Sequence, residues 1–81
     1  MTISTGSVVR AKAGRDKDGF YVVIKTEGNF AFIADGRRRK VENPKKKKFI
    51  HLQATKTVFE DSMVTNRKIR EFLRNFNEDI L

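Results

Sequence analysis

Residues 20–36 read Phe20-Tyr21-Val22-Val23-Ile24-Lys25-Thr26-Glu27-Gly28-Asn29-Phe30-Ala31-Phe32-Ile33-Ala34-Asp35-Gly36. The first five are aromatic or β-branched, which suits a pleated surface. Phe20, Val22 and Ile24 are then expected to face inward. Glu27-Gly28-Asn29 is a turn, and it leads into a strand with Phe30, Phe32 and Ala34 on one face. Asp35-Gly36 is the strongest hairpin signal in the chain, because both central residues of a type I′ turn need positive φ.

The same pattern extends outward. Upstream, residues 7–13 alternate, with Val9, Ala11 and Ala13 on one face and Arg10 and Lys12 on the other. The turn Gly14-Arg15-Asp16-Lys17-Asp18-Gly19 separates them from residue 20. Downstream, residues 37–41 form the strand returning from Asp35-Gly36. It is almost entirely cationic, so it faces solvent or an anion. Pro44 stops its pairing, Lys45-Lys46-Lys47-Lys48 is a loop, and residues 49–54 alternate again with Ile50, Leu52 and Ala54 inward. Five short strands joined by tight turns predict a small closed or nearly closed barrel, since closure removes edges that need protection. Tyr21 and Phe49 lie on the opposite phase, where they either pack under another element or stack on unpaired bases.

Beyond residue 57 the period changes. Ile69, Phe72, Leu73, Phe76 and Ile80 fall at the spacing of an amphipathic helix. Thr65 is the expected N-cap, with Lys68 where a full capping box has Glu or Gln. Glu78 and Asp79 oppose the helix dipole, so the last turn is expected to fray. An isolated helix of this length is marginal in water. The stripe is therefore buried on the chain's own barrel or on a partner, the former favoured. The chain is one domain: residues 1–56 a barrel, residues 57–81 a connector and helix.

Charge decides the class of partner. The 81 residues carry 18 Lys and Arg against 10 Asp and Glu, a net +8, with a pI near 10.2. Such a field attracts polyanions. The chain is too short for a doubly wound nucleotide-binding sheet or an eight-fold barrel. With no cysteine and one histidine, His51, thiolate and multi-histidine metal sites are excluded. The start of the chain lacks a basic and then apolar leader, and no apolar run could span a bilayer. A soluble cytoplasmic protein is expected, with no membrane partner.

Arg37, Arg38, Arg39, Lys40, Lys45, Lys46, Lys47 and Lys48, opposed only by Glu42, put +7 into twelve residues. Each phosphate neutralised there releases condensed counterions, the main source of nucleic-acid affinity. Arginine also grips phosphate in a planar fork, where lysine acts as a point charge. With the arginines on an ordered strand and the lysines in a loop, the arginines are expected to contribute more. Arg10, Lys12, Arg15 and Lys17 flank or occupy the first turn and complete the candidate RNA-binding set. The bland reading of the lysine run is a solvated loop. Residues 14–19 lack the spacing of a phosphate-binding loop and precede a strand, so Gly14 and Gly19, like Gly36, are turn glycines. No His–carboxylate–nucleophile set exists, so no catalysis, cofactor, metal or small-molecule substrate is expected.

Gly6-Ser7-Val8-Val9-Arg10 through Ala13-Gly14-Arg15-Asp16-Lys17-Asp18-Gly19-Phe20-Tyr21-Val22-Val23 resembles a KOW motif. Ala34-Asp35-Gly36, Arg37-Arg38-Arg39, Asn43 and His51-Leu52 follow in the order of the KOW-bearing large-subunit ribosomal proteins of archaea and eukaryotes and their short bacterial relatives. The resemblance spans roughly residues 6–55. It implies an SH3-like five-stranded barrel, with the C-terminal helix added, that binds RNA without catalysis. By position it implies contacts from Gly14, Arg15, Lys17 and the basic stretch from Arg37. The chain departs from the pattern in two places. Asp18 stands directly after Lys17, where many members have glycine, and the lysine run is longer and more basic. The expected partner is ribosomal RNA and the large ribosomal subunit. An acidic protein partner, or DNA bound without sequence preference, uses the same electrostatics.

Overall fold

The computed structural model describes residues 3–15 and 17–80, with the backbone alone for residues 77–80. Its strands are β1 (Ser7–Ala11), β2 (Phe20–Glu27), β3 (Phe30–Ala34), β4 (Lys45–Lys48) and β5 (Leu52–Val58). A 3-10 turn (Phe49–His51) joins β4 to β5, and helix α1 (Asn66–Ile80) follows. All pairings are antiparallel, in the order β4-β3-β2-β1-β5. The protein is thus mainly β with one C-terminal helix. The sheet is open, with β4 and β5 as its edges, so of the closed or nearly closed barrel expected from the turn spacing full closure is absent.

It is nevertheless strongly curled. On a flat sheet β4 and β1 would lie about 14 Å apart, three strand spacings, beyond the reach of a lysine side chain. Lys47 Nζ on β4 nonetheless donates to the Ala13 carbonyl just past β1, at 2.8 Å. Register shifts between Val23 and Lys25 and between Ser7 and Val9 supply the bend, as bulges do. The concave face encloses Val9, Ala11, Tyr21, Val23, Ala31, Ile33 and Leu52, with Phe49 against them.

The opposite face is also covered. Val8 and Val22 pack with Phe59, Ile69 and Leu73, and the helical stripe lies over β1 and β2. Phe76 meets Phe20 edge to face at 4.9 Å, and Phe72 meets Phe59 at 5.2 Å. Of the two homes open to the helix, the chain's own sheet is the one it takes. Because both faces of β1 and β2 are covered, their residues do not alternate in burial. Val8 and Val9 are both buried, as are Tyr21, Val22 and Val23.

Thr65 is the N-cap, its Oγ1 accepting from the Lys68 amide at 3.2 Å. The connector is pinned by Asp61, which accepts from the Met63 amide and from Lys68 Nζ. The Met63 amide first, and Lys68 second, hold its carboxyl below the ordinary carboxylate range. The expected effects of Glu78 and Asp79, and the place of Ile80 in the stripe, concern side chains outside the described residues.

Several expectations give way. Residues 37–41 form no strand, and the lysine run expected as a loop is β4 itself. Asp35-Gly36 does not close a two-residue hairpin. Asp35 Oδ1 accepts from the amides of Arg37 and Arg39, and the Asp35 and Gly36 amides return to the Arg39 carbonyl. That side-chain-mediated turn opens a longer connection, and Pro44 sits immediately before β4, where its missing N–H is tolerated. The two-residue hairpin is at Gly28-Asn29, with φ +58 at Gly28, the first-position glycine of a type II′ turn. Residues 49–51 are 3-10 rather than extended, which leaves Ile50 72% exposed instead of inward. On β3 the buried residues are Ala31, Ile33 and Ala34, while Phe30 and Phe32 are half-buried on the outer face. Tyr21 is in the concave core and so is no base-stacking candidate.

Two substitutions test this packing. Leu73→Ala is expected to cost about 2 kcal/mol or more, lowering the melting temperature by about 8 °C or more for a domain of this size. An unchanged melting point would mean that the helix does not pack on the sheet in solution. Gly36 has φ +78, and a Cβ there would lie 2.3 Å from the Asn66 carbonyl oxygen. At Gly28, φ is also positive but nothing lies within 4 Å. Gly36→Ala is therefore expected to destabilise clearly more than Gly28→Ala, which carries the backbone strain alone. Equal melting points would remove the helix–loop contact.

Candidate nucleic-acid interface

A meander places alternate connections at the same end of the sheet. The β1–β2 loop, with Lys12, Gly14, Arg15 and Lys17, therefore shares an end with the β3–β4 connection, with Gly36, Arg37, Arg38, Arg39 and Lys40. Sequence segments about twenty residues apart become one cationic rim. The Lys47–Ala13 hydrogen bond ties β4 to the first loop, and a Cβ on Gly14 would come within 3.1 Å of Lys47 Nζ.

The candidate residues divide by what already holds them. Arg10 is exposed on β1 but pairs with Asp18 across the loop. That pair positions the turn and partly neutralises Arg10. Lys12, Arg15 and Lys17 are exposed. Gly19 sits against the Tyr21 ring, where a Cβ would lie 2.8 Å from the hydroxyl. Arg39 is half-buried and its backbone closes the Asp35 turn. Arg37, Arg38 and Lys40 point outward, exposed.

The register then splits the lysine run. Lys46 pairs with Phe32 and Lys48 with Phe30, on the outer face, while Lys45 and Lys47 alternate to the other side. The four lysines thus belong to two surfaces. The expected contrast between an ordered arginine strand and a flexible lysine loop reverses, since the lysines are on the strand.

Helix α1 brings cations that the candidate set omitted. Arg70 Nη1 donates to the Gly36 carbonyl at 2.9 Å, and Asn66 bridges Val41 and Glu42. The first turns of the helix therefore border the rim. Arg67, Arg70 and Arg74 lie at i, i+3 and i+7, one helical ridge. The net −1 of residues 57–81 makes the segment a poor phosphate binder in bulk, though Arg67, Lys68, Arg70 and Arg74 can meet RNA locally. Arg67 is partly compensated by Glu71 at 3.5 Å.

Among the described residues no three His, Cys, Asp or Glu side chains come together as a metal site. No helix among them is long and apolar enough to cross a membrane. No protein-family model and no curated protein matches the chain.

The division between held and outward cations is testable with heparin as a generic polyanion. Changing Arg37, Arg38 and Lys40 together to Ala is expected to lower the eluting salt markedly, with stability changed by no more than about 0.5 kcal/mol per exposed site. Lys47→Met is expected to lower the melting temperature, because it releases the β1–β2 loop. If the triple variant elutes like the unaltered protein, the rim is not the polyanion site.

Proposed function

We propose that the chain is a non-catalytic RNA-binding protein of the KOW type. On this reading its open, curled sheet is an SH3-like barrel, and it binds ribosomal RNA or the ribosome chiefly through phosphate contacts. The observation that carries the reading is the convergence of two separate basic loops on one end of the sheet. A single charged loop serves solubility as readily as binding. With the first loop tethered to β4 by Lys47 and the β3–β4 connection held by Asp35 and Arg70, the two form a surface of fixed shape, and fixed cations lose less freedom when they meet phosphate.

Two further features support the family reading. Strand β1, a loop with Gly14 at its start and strand β2 make the strand–turn–strand unit of the resemblance. Asp18 has φ +71, a left-handed conformation that Asp tolerates and glycine adopts most readily. It stands directly after Lys17, the position at which many KOW proteins carry glycine. The departure in residue type thus leaves the turn conformation compatible with the motif. The five-strand meander, with β5 returning to pair with β1, accords with the SH3-like topology.

Co-sedimentation with ribosomes, before and after ribonuclease, separates RNA from an acidic protein partner, and competition with duplex DNA addresses the third possibility. Ribonuclease-sensitive co-sedimentation is expected. Some five to eight phosphate contacts give a log–log slope of affinity against salt of roughly −4 to −7. A slope near zero would discard the phosphate account.

A further inference from the structure

Past the reach of α1, the outer face of β3, β4 and the second half of β2 is covered by no element among the described residues. The register places Lys25, Glu27, Phe30, Phe32, Lys46 and Lys48 on it. Phe30 and Phe32 are half-buried, and what covers their rings is ammonium. Lys25 Nζ lies 4.5 Å from the Phe32 centroid, and Lys46 Nζ lies 4.6 Å from Phe30 and 5.8 Å from Phe32. Beyond Phe30 the face opens into a concavity of about 550 Å³ lined by Asn29, Phe30, Lys48, Phe49 and Ile50. Glu27 is the acid of this face, and Lys46 approaches it at 3.7 Å.

We propose that this face is a stacking platform for unpaired bases of single-stranded RNA. Phe30 and Phe32 lie beneath two bases, and Lys25, Lys46 and Lys48 move onto the phosphates. The inference rests on the RNA-binding reading above and adds the form of RNA recognised. Charge chooses the occupant: three cations against one acid ring two aromatic faces, complementary to a chain that carries a planar base and a negative charge on each unit.

Magnitude favours the exchange. An exposed cation–π contact is worth about two- to fivefold in an equilibrium constant. A base stacked on an aromatic side chain is worth about fivefold to over a hundredfold. A lysine that leaves the ring for a phosphate also keeps an electrostatic partner. Spacing favours a single strand over a duplex. Residues i and i+2 of a strand stand about 6.8 Å apart, roughly twice the 3.4 Å rise per base of a stacked helix. Two bases on the two rings are therefore splayed, which pairing in a duplex forbids. The concavity past Phe30 can receive the next base, with the Asn29 amide at its rim able to hydrogen-bond a base edge.

The chain contains no tryptophan, so Phe32→Trp makes the platform its own probe. The variant is titrated with single-stranded oligouridine and oligoadenosine, with an RNA duplex of equal length, and with polyglutamate. In parallel, the Phe30→Leu/Phe32→Leu double variant is measured by anisotropy against both RNA forms. Single strands are expected to quench the tryptophan and the duplex not to. The double variant is expected to lose fivefold or more in single-strand affinity, with duplex affinity within twofold. If the double variant fails to fold, the quenching result decides by itself. RNA binding without quenching overturns the platform while leaving the RNA-binding reading in place. Quenching by polyglutamate and not by RNA overturns it in favour of an acidic peptide. Absence of binding to any RNA overturns both readings.

Discussion

The structure depends on the packing of α1 over Val8 and Val22. Without the helix, two large aliphatic positions at the centre of the sheet would face water, and a chain of this size has few others to spare. The same contact fixes the β3–β4 connection. Gly36 is pressed against the Asn66 backbone, Arg70 holds the Gly36 carbonyl, and Asn66 accepts from the Val41 amide. Burial of an apolar stripe thus becomes the placement of a basic loop. The cationic rim and the hydrophobic core are therefore consequences of one docking event and not independent features.

Much of this was legible in the sequence. Periodicity identified the helix and its Thr65 cap, because i, i+3, i+4, i+7 spacing has no strand equivalent. Four of the strands lie near the expected segments. What failed was phase and the fourth strand. Alternation assumes that one face of a strand is wet, and the helix makes β1 and the first half of β2 dry on both faces, so Val8, Val9, Tyr21, Val22 and Val23 are all buried. Farther along the same sheet the helix ends its cover, and Phe30 and Phe32, which read as core, emerge on the outer face. No local pattern distinguishes the two regions, since the difference lies in where a distant helix comes down.

The lysine run shows a second limit. Lysine is depleted in strands, so four in succession do not read as one, and the arginine segment beside the hairpin signal reads as the better candidate. Two constraints other than strand propensity decide otherwise. Asp35 folds the arginine segment into a turn with its own side chain, consuming the amides a strand would use. An open sheet then needs an edge that does not recruit another chain, and lysines on an edge provide that protection. Thus the residues that local propensity disfavours in a strand are those that an unpaired edge requires. The division of the candidate lysines between two surfaces is not legible locally, because it follows from the register of β4.

Concentrating like charge has a cost in the free protein, and the arrangement of partners shows how it is met. Lys46 is shared between Glu27 and two aromatic faces, Lys47 is spent on the Ala13 carbonyl, and Arg10 is matched by Asp18. These cations have electrostatic partners inside the fold and organise it. The side chains of Arg37, Arg38 and Lys40 make no ion pair among the described residues, and they stand where the two loops converge. An anionic ligand at this rim would relieve their mutual repulsion. A ligand that binds the folded state alone shifts the folding equilibrium in its favour. A polyanion seated on this rim would therefore stabilise the protein twice, by neutralising the repulsion and by holding together the loop ends that α1 and Lys47 already bring into place.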